Sequence, residues 1–454
     1  MPLPPPTETT GLLDEARALW TLAWPIVIAQ VGVMFMGVVD TVFAGPLGAE
    51  SMAGLAIGNI GFFGIFVIGA GTLRALDSWV SRAWGAGRLD DCARGLAQSH
   101  WLVALMTPPL ALLCLAVPWA LTAIGYEPGI VEASRAYIVP LVWGLPAALL
   151  FAGYRSFLAS VNITVPIMAA AVLANALNLG LDWALIDGKL GAPALGVVGI
   201  SWSTSACKGL MFVMLAGSVW LHPALRALPS VLRRPEPALI RRLIAVGLPV
   251  GFTIFAEVGA FGGVGVLMGL KGAVPLAAHQ VALNMTALLF MVPLGLSTGA
   301  AVRCGQALGA GDPEAVHRAG TAALWNGVAY AVLSASMLMA FAVPIARLYR
   351  VTDDVMQQAV VFLGVAALFQ LVDCLQVLAN GVLRGLGDTR LPLAFTVLGY
   401  GVLGIPLGWL GAFKLTDDPI WLWYGLTIGL TVVAFLAILR FRWQVRTLRA
   451  AEPL

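Results

Sequence analysis

Long apolar runs recur along the whole chain, separated by short charged or Gly/Pro-rich segments. A helix that spans a bilayer needs about 20 consecutive apolar residues, and each run is long enough to form one. The strands of a membrane β-barrel would instead alternate apolar and polar positions, which these runs do not do. The pattern therefore predicts an all-α polytopic membrane protein. Its twelve transmembrane helices are predicted at 16–43, 51–80, 95–122, 133–156, 164–187, 194–221, 242–269, 275–303, 317–345, 356–384, 390–412 and 420–441.

The composition excludes a water-soluble globule. Of the 454 residues, 60% are hydrophobic and 11% are charged, whereas a soluble protein carries about 25% charged residues. The net charge of +3 gives no reason to expect a nucleic-acid partner. The five cysteines are scattered and form no CxxC motif, so neither a disulfide framework nor a zinc site is indicated. We expect no cofactor.

The distribution of basic residues predicts the orientation in the membrane. If both termini are cytoplasmic, the inner side carries eighteen Lys or Arg residues and the outer side six, as the positive-inside rule requires. The N-terminus lacks the basic region of a signal peptide, so we expect the first span to be retained. These features predict a multi-pass protein of the cell inner membrane, with cytoplasmic tails at 1–15 and 442–454.

The two halves of the chain are related in sequence. A basic, Pro-rich segment at 222–241 is predicted to be a cytoplasmic linker between an N-lobe at 16–221 and a C-lobe at 242–441. Offsets of 224 and 226 residues align landmarks of the halves: Pro25 with Pro249, Gly45 with Gly269, Gly71 with Gly295, Pro166 with Pro392 and Trp183 with Trp409. Six helices in each half give both halves the same orientation. The duplication predicts two parallel six-helix lobes around a central cavity, an architecture typical of transporters.

Carboxylates inside the N-lobe spans are candidate functional residues, because each costs about 2.5–3.5 kcal/mol to insert into a bilayer. Asp40 ends the apolar run IVIAQVGVMFMGVVD in the first span. Asn178 and Asp182 lie four residues apart on the fifth span and therefore share one helical face. The sixth span adds Thr204 and, one turn later, Lys208. Such an oxygen-rich group suits Na⁺ or a proton shared between two acids. The alternative is that the amide and hydroxyl groups only join helices by hydrogen bonds.

The C-lobe has its own buried acids. Glu257 lies in the middle of the seventh span, and Asp373 lies in the middle of the tenth. We expect His279 to serve packing or hydrogen bonding rather than transport. Polar side chains that could line a cavity near the acids are Gln280, Asn284, Gln376 and Asn380.

Several motifs resemble the multidrug and toxic compound extrusion (MATE) family. They are WPIVIAQVGVMFMGVVDTVFAGPLG, LPVGFTIFAE, LAAHQVALN, MVPLGLSTGAAVRCGQALGAGD and LVDCLQVLANGVLRGLGDTRLP. The likeness extends from about residue 19 to residue 442, and the C-lobe motifs are most similar to the bacterial NorM-type branch. The resemblance implies twelve helices in two lobes. It also implies efflux of cationic or amphipathic organic compounds in exchange for Na⁺ or H⁺.

The resemblance also implies roles for individual residues. Asp40, Asn178, Asp182 and Thr204 match the N-lobe cation site of the family. Glu257 and Asp373 match the acidic pair of the NorM-type C-lobe. At two positions where NorM-type members place tyrosines near that pair, this chain has Phe290 and Phe369. Phenylalanine retains cation–π contact but offers no hydroxyl to a coordinated ion.

These observations favour an antiporter that works as a monomer in the bilayer. Its expected partners are small organic cations or amphipathic drugs, together with Na⁺ or H⁺ as the coupling ion. One alternative is a lipid-linked precursor flippase, which should have a cationic cavity, whereas the buried charge here is mainly acidic. An intramembrane enzyme would need a catalytic motif such as GxSxG or HExxH. HExxH does not occur, and the one GxSxG match, GLSTG at 295–299, lies inside an apolar run rather than at a strand-to-helix turn. A receptor remains a further alternative.

Overall fold

The computed structural model describes residues 11–226 and 233–450, and within these ranges the chain forms helices, turns and no strand. Twelve helical segments are long and apolar enough to cross a bilayer, which confirms the predicted number and the all-helical class. The α-helices are α1 (Leu12–Ala44), α2 (Ala49–Leu73), α3 (Ala75–Gly85), α4 (Leu89–Ile124), α5 (Pro128–Ser160), α6 (Val165–Asp187), α7 (Val197–Leu221), α8 (Pro237–Lys271), α9 (Ala273–Ala310), α10 (Pro313–Ala340), α11 (Ala342–Leu348), α12 (Asp353–Gly385), α13 (Arg390–Thr396), α14 (Ile405–Leu410) and α15 (Ile420–Ala450).

Two of the spans are not single α-helices. The second span is divided at Arg74 into α2 and α3. The eleventh span consists of α13 and α14 with π-helical segments at Val397–Gly404 and Gly411–Leu415. A π-segment widens the helix and often marks a functional region.

The helices extend past the predicted spans at several ends. α8 begins at Pro237, inside the segment 222–241 that we predicted to be a linker. Residues 227–232 of that segment lie outside the described residues. α15 continues to Ala450, so most of the predicted C-terminal tail at 442–454 is helical.

The chain forms two compact units, each organised around a central helix. Among the described residues, one unit contains 24–226 and 233–251, and the other contains 252–450 together with 11–23. In the first, α5 packs against α2, α4 and α7, and in the second, α12 packs against α9, α10 and α15. These two helices share the highest buried fraction of the twelve spans, 61%. Since each is the fourth span of its half, the packing agrees with the duplication inferred from the sequence.

The units and the predicted lobes have different borders at two places, the beginning of α1 and the beginning of α8. The first turns of α1 pack in the second unit, where Gly299 lies against Leu19. The first turns of α8 pack in the first unit, where Gly247 lies against the backbone of Thr72. Hydropathy marks where a helix is apolar, not which bundle it packs against, so the sequence pattern could not place these borders.

A seam of glycines holds the eleventh span against α15. A Cβ on Gly425 would collide with the carbonyl oxygen of Gly404 and come within 2.6 Å of the Gly408 Cα. Small residues let membrane helices approach backbone to backbone. The close approach fixes the π-segment that carries Tyr400 beside the turn of α15 that carries Trp423, and both of these side chains are buried.

Candidate functional site

The first unit brings together the four N-lobe residues predicted from the sequence. Thr204 on α7 donates its hydroxyl to Asp40 Oδ2 at 2.9 Å. Asn178 on α6 donates its amide Nδ2 to Asp40 Oδ1 at 3.0 Å and to Ser203 Oγ at 3.2 Å. Asp40 is only 5% exposed, and both of its carboxylate oxygens have a donor. Hydrogen bonds to a charged acceptor are the stronger kind, so these two donors offset part of the cost of burying Asp40.

Asp182 is in a different environment, although it lies beside Asp40 and Ser203. It is fully buried and interacts with the Ser203 hydroxyl and the Asp40 carboxylate, but neither of its oxygens has a donor with good hydrogen-bond geometry in the described part of the chain. The Asn178 Oδ1 atom also has no donor among these residues. Three buried acceptor oxygens that lack a well-placed donor among the described residues therefore lie on one face of α6. Because unpaired buried acceptors are costly, the cluster is suited to a positively charged guest.

Lys208 is one turn beyond Thr204 on α7 and is half-buried. Its ammonium interacts electrostatically with Asp40 and with Arg155 on α5. Arg155 donates a hydrogen bond of 2.9 Å to Gln30 Oε1. The cluster thus includes a cation of the protein itself.

The sequence analysis missed Tyr137 on α5. Its ring is 3% exposed, and its hydroxyl donates to Asn59 Oδ1 at 3.3 Å. Tyr137 also lies near enough to Asp40 and Asp182 to interact with both electrostatically. The chain has only seven tyrosines, and a phenol in the middle of an apolar span was the signal that could have identified this one.

The second unit brings Glu257, Asp373 and Gln376 together, as predicted for the C-lobe. Gln376 Nε2 donates to Glu257 Oε1 at 2.7 Å. Asp373 is three residues before Gln376 on α12, is 6% exposed and interacts with the Glu257 carboxylate. Two acids on different helices therefore share one largely buried region, where a positive charge would relieve their repulsion.

An aromatic cluster packs beside these acids. Phe369 lies edge-on to Phe261, at 5.7 Å between ring centroids, and to Trp423, at 5.8 Å. Phe261 also contacts Tyr400 at 6.3 Å. Tyr400 interacts electrostatically with Glu257 and Asp373, so a phenol accompanies the acids although Phe369 has no hydroxyl. Phe261, Tyr400 and Trp423 were not identified from the sequence, where they read as ordinary apolar positions.

The other predicted C-lobe residues differ in their burial and in the neighbours they pack against. Gln280 and Asn284 are exposed on α9. Phe290 packs against the apolar cluster around Leu296, whereas Phe369 belongs to a separate cluster with Trp423. Two further residues are buried to different degrees: Asn380 is half-buried, and His279 is fully buried against Trp423 at 5.6 Å.

Comparisons with known proteins identify the family of this chain. The MatE family model matches the chain twice, over residues 25–184 and 249–410, once in each half. The multidrug resistance protein MdtK of Edwardsiella ictaluri is 34% identical over 443 residues, covering 95% of this chain and 96% of the relative. The probable multidrug resistance protein NorM of Bradyrhizobium diazoefficiens is also 34% identical over 443 residues, covering 96% and 95%.

Solved structures share the fold at lower identity. A crystal structure of MATE in complex with MaL6 aligns with a TM-score of 0.86 and 21% identity, covering 98% of this chain and 100% of that one. An outward-facing multidrug resistance MATE transporter of the MOP superfamily aligns with a TM-score of 0.85 and 22% identity, covering 96% and 97%. Since the family model matches both halves and the relatives align along nearly the whole chain, this protein belongs to the MatE family, the multidrug and toxic compound extrusion transporters.

Proposed function

We propose that this protein exports organic cations and amphipathic drugs in exchange for an inward-moving Na⁺ or H⁺. The observation that carries the proposal is the first-unit cluster, where the buried carboxylates of Asp40 and Asp182 interact with each other beside Asn178 and Thr204. Two carboxylates that share one buried site disfavour each other's charge, and a positive guest relieves this repulsion. A proton or a small cation satisfies this need and is exchanged on each cycle.

Membership in the family already establishes a transporter and not an enzyme, which removes the intramembrane-enzyme alternative. The direction of exchange follows from physics. A membrane potential contributes about 2.3 kcal/mol per elementary charge per 100 mV and favours inward movement of a positive ion. An ion that enters along this gradient at the acids of either unit lowers their attraction for an organic cation, which leaves on the other side.

The second unit supports the proposed substrate class. Glu257 and Asp373 supply negative charge, and Phe261, Phe369 and Tyr400 supply aromatic rings close by. An organic cation is held by such a combination through Coulomb attraction and cation–π contact, neither of which demands one exact ligand shape. The names of the relatives, multidrug resistance proteins, agree with a site of this kind.

We further propose that the protein works as a monomer in the cell inner membrane with both termini in the cytoplasm. The excess of basic residues on the side of the termini supports this orientation. No cofactor is required, because the acids and the coupling ion supply the chemistry.

Transport by the purified protein in proteoliposomes tests the proposal. Radiolabelled tetraphenylphosphonium is the probe, and a Na⁺ gradient or a pH gradient is imposed separately. We expect one of the gradients to drive probe movement against its concentration, and we expect Glu257→Gln to abolish it. Glu314→Gln, on an exposed surface pair, is the matched control and should transport like the wild type. Tetraphenylphosphonium flux that is the same with and without either gradient would refute the antiporter.

A further inference from the structure

Part of the predicted linker, the segment 233–236, is bound along the first turns of α4. Gln98 on α4 is fully buried, and its side-chain amide binds the linker backbone on both sides of Pro235. Its Nε2 atom donates to the carbonyl oxygen of Arg234 at 3.0 Å, and its Oε1 atom accepts from the backbone N–H of Glu236 at 2.8 Å. One side chain therefore satisfies the two backbone groups that flank a proline, which has no N–H of its own.

Side chains of α4 also hold both ends of this segment. The Trp101 indole donates its Nε1–H to the carbonyl oxygen of Arg233 at 2.9 Å. The Arg233 guanidinium binds the Asp90 carboxylate, with its shortest contact at 2.5 Å. At the other end, the Arg94 guanidinium donates two hydrogen bonds of 2.6 and 3.3 Å to the Glu236 carboxylate. The segment is thus fixed through its backbone and through its charges.

The four α4 residues that bind the linker lie on one face of the helix. They are Asp90, Arg94, Gln98 and Trp101, and their spacing of four, four and three residues places them within about 80° around the helix axis. The charges on this face are complementary to those of the segment, because the aspartate meets an arginine and the arginine meets a glutamate. This face of α4 therefore matches the segment in both shape and charge.

The sequence of the segment prepares it for this binding. Pro235 restricts the residue before it, Arg234, to an extended conformation and fixes its own φ angle. Pro237 opens α8 at its first position, where a missing N–H costs nothing. The segment therefore has little conformational freedom to lose when α4 binds it, and the contacts hold it more firmly.

The second half of the chain offers an internal comparison. At the offset of 224 residues, Asp90 corresponds to Glu314 in the first turn of α10, and Glu314 binds Arg449 in the last turn of α15. In each half, an acid at the start of the third span thus binds an arginine that follows the apolar part of the sixth. Gln98 corresponds to Ala322, however, whose side chain cannot form a hydrogen bond. The backbone-binding amide is therefore present in the half that continues into the linker.

The beginning of α8 continues the contact with the first unit. The Arg242 guanidinium lies over the Trp79 ring, 5.1 Å from its centre. A Cβ on Gly247 would lie 1.9 Å from the carbonyl oxygen of Thr72, so the two backbones are in close contact. The first unit extends to residue 251, and the chain therefore leaves it inside α8 and not in the predicted linker.

We propose that Asp90, Arg94, Gln98 and Trp101 form a clip that keeps the segment 233–236 on α4 throughout the transport cycle. The clip makes this segment and the first turns of α8 a permanent part of the first unit. The segment is then a strap that fixes the start of α8, and not a slack connection. This inference goes beyond the proposed exchange and takes from it only the flux measurement.

Hydrogen exchange of the purified protein tests the clip without transport. Gln98→Leu removes both amide bonds at similar side-chain size, and we expect the backbone amides of 236–241 to exchange about tenfold faster or more. Trp101→Phe keeps an aromatic ring and removes one bond, so we expect a smaller increase. Trp325→Phe, at the corresponding position of α10, is the matched control and should leave these amides as in the wild type. Unchanged exchange at 236–241 in both linker-facing variants would overturn the proposal.

A cross-link tests whether the clip stays closed during transport. Asp90→Cys and Arg233→Cys are combined and bridged with a short bis-methanethiosulfonate in proteoliposomes, where the five native cysteines are buried. We expect the bridged protein to keep the gradient-driven tetraphenylphosphonium flux of the unbridged one, and the single-cysteine variants are the controls. A loss of flux that a reductant reverses would show that the clip has to open and would overturn the proposal. Absence of flux in the wild type would refute the antiporter, whereas hydrogen exchange would still decide on the clip.

Discussion

Thr204 donates its hydroxyl to the Asp40 carboxylate at 2.9 Å, although the two residues are 164 positions apart in the chain. The bond joins α7 to α1 at the centre of the first unit's acidic cluster. Together with Asn178, Thr204 holds the Asp40 side chain in one orientation. The geometry of the acid is therefore set by two neutral side chains, and each of them can be altered without changing the charge of the site.

Removing the Thr204 hydroxyl should weaken transport. Hydrogen bonds to charged groups contribute about 1.5–3 kcal/mol, and Thr204→Val deletes one while preserving the shape of the side chain. We expect gradient-driven flux to fall by about tenfold or more, since 1.4 kcal/mol corresponds to a factor of ten. Thr204→Ser retains the donor and should transport like the wild type. Equal flux from the valine and serine variants would show that the bond has no role.

Neutralising the buried acids should abolish drug resistance. Glu257→Gln keeps an oxygen that can accept from Gln376 but removes the negative charge, so it separates charge from hydrogen bonding. We expect Glu257→Gln, Asp373→Asn and Asp40→Asn each to lose the resistance that the wild type confers on a sensitive host. Susceptibility is measured at matched expression in the membrane. Wild-type resistance from any one of these variants would remove that acid from the mechanism.

The ion pair between Glu15 and Arg303 should be important for stability. Arg303 donates two hydrogen bonds of 2.7 Å to the Glu15 carboxylate. The side chain of Glu15 is only 4% exposed and that of Arg303 is 12% exposed. Breaking a buried pair by removing one charge costs about 3–5 kcal/mol, because the other charge stays buried. We expect Glu15→Gln to lower the thermal unfolding midpoint clearly. Glu314→Gln breaks the exposed pair with Arg449 and should cost no more than about 1 kcal/mol.

The glycine seam predicts a second effect on stability. Gly425→Ala places a methyl group against the backbone of Gly404 and Gly408, where a Cβ has no room. Overpacking of this kind costs about 1–3 kcal/mol. Gly401→Ala lies in the same π-segment region with nothing within 4 Å of the new Cβ, and we expect it to be tolerated. Equal unfolding midpoints for the two variants would show that the seam is not tightly packed.

Hydropathy and residue type were sufficient to predict the spans and the acids. Twelve apolar runs became twelve spans, because a bilayer demands long apolar helices whatever their tertiary partners. Asp40, Asn178, Asp182 and Thr204 meet as predicted, since charged and amide groups in a span have to face each other.

Features set by tertiary packing could not be predicted. The division at Arg74 and the π-segments at Val397–Gly404 and Gly411–Leu415 depend on which helix lies alongside. Tyr137 and Tyr400 were missed because a buried phenol is only mildly polar, and its closeness to an acid appears only when the helices are packed.

Simultaneous measurement of the two fluxes tests the central claim most directly. Tetraphenylphosphonium efflux and ion influx are recorded in the same proteoliposomes, for the wild type and for Asp182→Asn. The account predicts that the wild type moves the organic cation outward and one ion species inward in a fixed ratio, and that Asp182→Asn loses both movements together. Organic-cation efflux that continues unchanged in Asp182→Asn, or without any accompanying ion influx, would contradict it.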